Sequence, residues 1–113
     1  MTDYAKRRVL VTGATGYIGS RLVPELLERG FMVRVLTRNR SKVASRAWVD
    51  RVEIVEGDAT SKDALDKACN GVDIAYYLLH SMDGEGDFVE RDRELARRFG
   101  LAAQRAKIGR IIY

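Results

Sequence analysis

Three glycines, Gly13, Gly16 and Gly19, follow one another at three-residue intervals directly after the apolar run at residues 9–11. In a phosphate-binding turn, the first glycine lets the chain turn sharply and the second lets a pyrophosphate approach the backbone. The third lets a helix pack close to a sheet. A helix that begins here would present unpaired N–H groups and the positive end of its dipole to the phosphates. Since no Gly-Lys-Ser/Thr sequence follows, as a Walker loop requires, the spacing predicts a dinucleotide-binding turn.

A cluster of basic residues, Arg38, Arg40 and Lys42, follows these glycines in the sequence. In NAD-binding units, an acidic residue about twenty residues beyond the glycines binds the ribose hydroxyls of the adenosine. No acidic residue occurs between Glu28 and Asp50, and a guanidinium can instead bind a ribose 2′-phosphate through two hydrogen bonds. We therefore predict NADP as the cofactor and disfavour NAD, with Arg38 as the main contact and Lys42 or Arg40 assisting. The alternative is that these side chains only solvate a loop.

Five short apolar or β-branched runs, separated by turn residues, predict five strands. The predicted strands are residues 8–12, 32–36, 52–55, 73–79 and 110–113. The fourth is apolar over nearly its whole length, as expected for a strand that is buried on both faces of a sheet.

Helical patterns occupy the intervals between these strands. The predicted helices run from the glycine turn to Gly30, over residues 41–48, from a capping box at residues 60–63 to Asn70-Gly71, and over residues 88–106. Gly100 interrupts the last helix, and close packing against a strand is its expected role. Because strands and helices alternate with short connections, we predict the α/β class, with a doubly wound parallel sheet covered by helices on both faces.

The composition is that of one globular domain over residues 1–113, with 46% hydrophobic and 32% charged residues. One cysteine is too few for an internal disulfide or a cysteine-rich zinc site. The longest apolar run, residues 74–79, is too short to span a bilayer, and the basic cluster at residues 6–8 precedes only three apolar residues. We expect no membrane segment and a cytoplasmic location.

The net charge of +4 does not indicate a nucleic-acid-binding face. Such a face collects positive charge on one side, with aromatic side chains between the cations. Here acidic and basic residues are interleaved, as at residues 91–94 and 50–53. We therefore predict no nucleic-acid partner.

Residues 12–19, Thr-Gly-Ala-Thr-Gly-Tyr-Ile-Gly, resemble the cofactor motif of the extended and atypical short-chain dehydrogenases/reductases. That family includes the nucleoside-diphosphate-sugar epimerases and the NmrA-like NAD(P)-binding proteins. Further matches are residues 36–38, 56–59, 72–78 and 110–113. The resemblance implies a Rossmann sheet with strand order 3-2-1-4-5, truncated after its fifth strand, as the N-terminal portion of a longer oxidoreductase or epimerase-like chain.

The resemblance also implies which residues contact the cofactor. At the glycine turn these are Gly13, Thr15, Gly16, Tyr17, Ile18 and Gly19. Asp58 and Ala59 match positions at the adenine, where the carboxylate accepts from the amino group and the next backbone N–H donates to a ring nitrogen. Leu78, Leu79 and His80 match the segment along the ribose and pyrophosphate. From the residues alone, Asp58 could equally form a turn, and His80 could be structural.

The enzymes of this family use a Tyr-x-x-x-Lys pair, in which the tyrosine transfers the proton and the lysine lowers its pKa. None of the five tyrosines is followed by a lysine four positions later, so we assign no catalytic residue and no metal ligand. Three functions stay open: the cofactor-binding part of a reductase or epimerase-like enzyme, a non-catalytic NADP-binding sensor, and an interaction domain with a vestigial pocket. The substrate is not identified by the sequence.

The last predicted strand, residues 110–113, carries a prediction of its own. The resemblance places it at an edge of the sheet. An apolar edge strand exposes unpaired N–H and C=O groups and invites pairing with another chain. We therefore predict self-association through this edge or the neighbouring sheet face. The alternative is that Tyr113 frays into solvent and the domain stays monomeric.

Overall fold

A computed structural model of the protein describes residues 7–14, 16–79 and 88–113. Five parallel strands form one sheet in the order β3-β2-β1-β4-β5. The strands are β1 Arg8–Thr12, β2 Met32–Thr37, β3 Glu53–Glu56, β4 Ile74–Tyr77 and β5 Arg110–Ile112. The predicted α/β class and strand order are confirmed, with strand ends differing by a few residues from those predicted.

In the part of the chain that is described, three α-helices cover the two faces of this sheet: α1 Tyr17–Glu28, α2 Lys62–Cys69 and α3 Phe88–Arg105. On one face, α2 and α3 pack on a core that includes Leu10, Leu65 and Phe99. On the other face, α1 packs on a core that includes Val11 and Val23. The central strand, β1, is therefore buried on both sides, which explains its apolar run at residues 9–11.

The helix predicted over residues 41–48 is wrong. The segment instead holds a 3₁₀ turn at Arg40–Lys42, followed by turns and a second 3₁₀ turn at Val49–Arg51. Val43 and Trp48 are both buried in the core under α1. Residues five apart lie on different faces of an α-helix. A continuous helix could not bury both side chains, and the irregular path does.

Two local predictions also need correction. The side chain of Ser61, not Thr60, caps α2, because it accepts a hydrogen bond from the backbone N–H of Ala64 at 3.3 Å. Thr60 is held instead by the turn that precedes the cap. A Cβ added at Gly100 would have no atom of another element within 4 Å, so Gly100 does not pack closely against a strand.

Candidate functional site

The carboxyl ends of the strands surround a cavity of about 710 Å³. Ligands of open parallel sheets bind at this edge, where the strand order reverses on either side of the central strand. The cavity is lined by Gly13, Ala14, Gly16, Leu36, Thr37, Arg38, Lys42, Gly57, Asp58, Ala59, Thr60, Leu78, Leu79, Arg91, Glu94, Leu95 and Arg98. The cavity is therefore lined by residues of four of the five predicted motifs. The motif at residues 110–113 does not contribute to the lining.

The glycine turn is built as the spacing predicts. Gly13 has φ +80°, and a Cβ there would lie 2.8 Å from the carbonyl oxygen of Leu78. A Cβ on Gly19 would overlap the carbonyl oxygen of Gly13, so only glycine lets α1 approach the turn. At Gly16 the nearest such atom is 3.4 Å away, and this glycine faces the cavity. Gly16 begins α1 without a side-chain cap, which leaves first-turn N–H groups for a ligand.

Thr12 holds the end of β1 against the end of β4. Its buried hydroxyl donates to the carbonyl oxygen of Tyr76 at 3.0 Å and accepts from the N–H of Leu78 at 3.2 Å. This places Leu78 directly against Gly13 in the wall of the cavity. The role of Thr12 is long-range, and no local sequence signal indicates it.

The end of β2 brings Arg38 and Lys42 to the cavity, where both side chains are exposed. Arg40 points elsewhere: its backbone N–H donates to a carboxylate oxygen of Glu56 at 2.9 Å, and its guanidinium to the carbonyl of Ile54 at 3.4 Å. Lys42 is therefore the better placed of the two assisting residues predicted from the sequence.

Asp58 forms a tight turn after β3. Its Oδ1 accepts hydrogen bonds from the backbone N–H and the hydroxyl of Thr60, both at 2.9 Å. These two bonds, together with the nearby guanidinium of Arg38, hold the pKa of Asp58 below its ordinary value. The turn-forming role is thus present, and it also fixes an ionised carboxylate in the wall of the cavity.

Helix α3 forms a further wall of the cavity, which the sequence analysis does not predict as part of the site. Arg91, Glu94, Leu95 and Arg98 line the cavity and lie along one stripe of the helix, at the spacing i, i+3, i+4 and i+7. Glu94 accepts from Arg97 and Arg98, and these bonds lower its pKa to about 2. That mixed stripe is the signal which could have identified this wall.

Several predicted contacts lie elsewhere. Tyr17 and Ile18 are 75% and 64% exposed beside the turn, outside the lining of the cavity, and Arg21 lies 4.2 Å above the ring of Tyr17. Gly19 is buried beneath the turn rather than in the cavity wall. Thr15 and His80 lie outside the described residues.

The charges around the cavity favour a phosphate-rich ligand. Among the described residues, four cationic side chains line it, those of Arg38, Lys42, Arg91 and Arg98, against the two carboxylates of Asp58 and Glu94. Within the described part of the chain, no cluster of His, Cys, Asp and Glu could hold a metal ion. Among the same residues, no helix is long and apolar enough to cross a membrane.

A family model described as NAD(P)H-binding matches residues 13–113. The chain therefore belongs to the NAD(P)H-binding family, and its strand order is that of a Rossmann domain. Its ligand is a nicotinamide dinucleotide, as the glycine turn indicates.

Named relatives agree with this assignment. The chain is 31% identical to a 3 beta-hydroxysteroid dehydrogenase/Delta 5-->4-isomerase of Mycobacterium tuberculosis, over 94% of this chain and 30% of that protein. A short-chain dehydrogenase/reductase superfamily protein of Agrobacterium tumefaciens, solved with bound NAD, is 29% identical, with a TM-score of 0.73 over 93% of this chain and 31% of that one. The triphenylmethane reductase of Citrobacter sp., solved with NADP(H), shares the fold with 24% identity and a TM-score of 0.73, over 92% of this chain and 35% of that one. The chain thus spans about a third of the length of these relatives.

Proposed function

We propose that the cavity binds NADP(H) in preference to NAD(H), and that the chain is the cofactor-binding part of an oxidoreductase. The observation that carries this proposal is the position of Arg38 and Lys42 in the cavity wall after β2. A carboxylate at that place would hydrogen-bond to unmodified ribose hydroxyls and repel a 2′-phosphate. A guanidinium and an ammonium attract the phosphate.

The rest of the cavity fits the other parts of the dinucleotide. The bare backbone at Gly13 and Gly16, with the first N–H groups of α1 behind it, suits the pyrophosphate. The carboxylate of Asp58 and the N–H of Ala59 suit the amino group and a ring nitrogen of the adenine. Leu78 and Leu79 would flank the ribose and pyrophosphate. The nicotinamide, when bound, supplies or accepts a hydride.

The whole protein's activity is proposed from its relatives. Dehydrogenases and reductases are among them, which favours the enzymatic interpretation over a non-catalytic sensor. The relative solved with NAD and the one solved with NADP(H) show that cofactor choice differs between proteins of this fold. The preference of this chain therefore has to be decided by its own residues after β2.

Arg38→Gln tests the proposal, with Arg40→Gln as the matched control. Loss of a charge-assisted hydrogen bond costs about 1.5–3 kcal/mol, so we expect Arg38→Gln to weaken NADPH binding about ten- to hundredfold and to leave NADH binding nearly unchanged. Arg40→Gln removes the same charge from the same loop, but its guanidinium contacts the Ile54 carbonyl, and NADPH affinity should stay close to that of the wild type. Calorimetric titration with both cofactors measures this. Equal wild-type affinity for NADPH and NADH would contradict the preference.

Two further proposals rest on the sequence predictions above. Self-association through β5 is supported by its place at the edge of the sheet, with β4 on one side, and by the 72% exposure of Tyr113. The cytoplasmic location stays a prediction.

A further inference from the structure

Arg98 connects α3 to the loop between β3 and α2. Its Nη1 donates to the carbonyl oxygen of Thr60 at 2.9 Å, across the cavity wall. Its Nε donates to Oε1 of Glu94, one turn earlier on α3, also at 2.9 Å. The guanidinium is therefore bonded through Nε to its own helix and through Nη1 to the loop.

Glu94 fixes the direction in which Arg98 points. Its carboxylate accepts from Nε and Nη2 of Arg97, at 3.1 Å and 2.9 Å, as well as from Arg98. Because these bonds hold its pKa at about 2, Glu94 is ionised throughout the neutral range. Two arginines thus share one carboxylate, and Arg98 alone of the pair continues to the Thr60 carbonyl.

The loop end of this connection leads directly to Asp58. Thr60 accepts from Arg98 through its carbonyl, and donates to Asp58 Oδ1 through both its N–H and its hydroxyl. Ala59 lies between them in the chain and lines the same cavity. Thr60 is therefore bonded both to Asp58, two residues earlier, and to a helix distant in sequence, with Ala59 enclosed between the two bonded residues.

We propose that Arg98 is a positioning residue for base recognition: through Thr60 it holds the carboxylate of Asp58 and the N–H of Ala59 where they distinguish adenine from other purines. This inference rests on the proposed function, in which these two groups meet the adenine. Adenine carries an amino donor where hypoxanthine carries a carbonyl acceptor. A fixed carboxylate therefore favours adenine and repels hypoxanthine, and a loosened one loses much of that difference.

Arg105 provides a matched control on the same helix. Its Nη2 and Nε donate to Asp66 Oδ1 of α2, at 2.7 Å and 3.0 Å. Its side chain is 43% exposed, against 45% for Arg98. Both arginines join α3 to the α2 region, but Arg105 and Asp66 lie outside the lining of the cavity. Replacing either residue removes a similar link, and only one of the two reaches the Asp58 turn.

The experiment titrates NADP and its hypoxanthine analogue into the wild type, Arg98→Gln, Arg98→Lys and Arg105→Gln. We expect Arg98→Gln to weaken NADP binding about tenfold and to reduce the preference for NADP over the analogue by a similar factor. Arg98→Lys keeps a donor for the Thr60 carbonyl and should recover part of that preference. Arg105→Gln should keep both the affinity and the preference, at a thermal stability that matches Arg98→Gln.

The outcomes separate this inference from the proposed function. If the wild type prefers NADP and Arg98→Gln keeps the full preference, the positioning role is overturned while cofactor binding stands. An equal loss of preference in Arg98→Gln and Arg105→Gln also overturns it, because the effect would then be one of general stability. If the wild type binds neither nucleotide, or does not distinguish them, the base contact in the proposed function fails, and this inference fails with it.

Discussion

At the scale of single residues, the three glycines of the turn have three separate tasks. Gly13 takes a positive φ and contacts the Leu78 carbonyl, Gly16 leaves the cavity wall bare, and Gly19 lets α1 lie against the turn. The spacing predicts the turn at Gly13, the bare wall at Gly16 and the close approach of α1 at Gly19, because each depends on backbone that is close in the chain. It does not predict the approach of the Leu78 carbonyl to Gly13. It does not predict the hydroxyl of Thr12 or the guanidinium of Arg98, since each acts on a segment far away in sequence.

Gly19→Ala and Gly100→Ala should therefore have opposite effects. The new methyl at residue 19 would collide with the Gly13 carbonyl, whereas the one at residue 100 meets no atom of another element within 4 Å. We expect Gly19→Ala to lower the free energy of unfolding by about 1–3 kcal/mol. In the interior of α3, Gly100→Ala should raise it by about 0.5–1 kcal/mol. Urea denaturation measures both, and a Gly19→Ala variant as stable as the wild type would show that the turn is not tightly packed.

At the scale of elements, Arg34, a buried arginine of β2, caps the C-terminal end of α2. Nη1 of Arg34 donates to the carbonyl oxygens of Lys67, Ala68 and Asn70, at 3.3 Å, 2.7 Å and 2.7 Å. Its Nε lies 3.6 Å from Oε1 of Glu53. The last carbonyls of a helix have no partner within the helix, so this guanidinium satisfies them and supplies positive charge at the negative end of the helix dipole.

Arg34→Met should consequently destabilise the protein. It leaves the carbonyls at the end of α2 without their donor in a region where Arg34 is only 9% exposed, and we expect a loss of about 2–4 kcal/mol. Arg29→Met is the control, because Arg29 and Glu25 form a 3.8 Å pair with both side chains about 70% exposed, worth less than about 1 kcal/mol. Chemical denaturation of both variants gives the comparison. Equal stabilities for the two would rule out the capping role of Arg34.

The elements themselves could be predicted where the pattern is local. The apolar strands and the three α-helices were located to within a few residues because period and turn residues mark them. The helix prediction for residues 41–48 is wrong because the segment buries Val43 and Trp48 against α1. Such tertiary contacts override helical propensity. The α3 wall of the cavity could not be predicted for a related reason. The residues at 91, 94, 95 and 98 line the cavity only because the fold places this helix across from Asp58.

At the scale of the whole molecule, the parallel sheet determines where all these groups meet. Since every strand runs in the same direction, the loops after β1, β2, β3 and β4 open onto one edge, and α3 closes that edge from the side. The amino ends of the strands lie on the opposite side of the molecule. They carry the residues Gly71 and Gly109, which precede β4 and β5, and the ion pair of Arg8 with Glu53. The two ends of the strands thus differ in kind, and we assign the nucleotide to the carboxyl ends.

Amide resonances of the isotope-labelled chain, followed during titration with NADPH, test this assignment most directly. We expect the N–H signals of Gly13, Gly16, Arg38 and Ala59 to shift together and to saturate at one binding constant. The signals of Gly71 and Gly109, at the other end of the strands, should stay in place. Shifts concentrated at that other end of the strands, or no saturable shift at the glycine turn, would contradict the assignment of this cavity as the cofactor site.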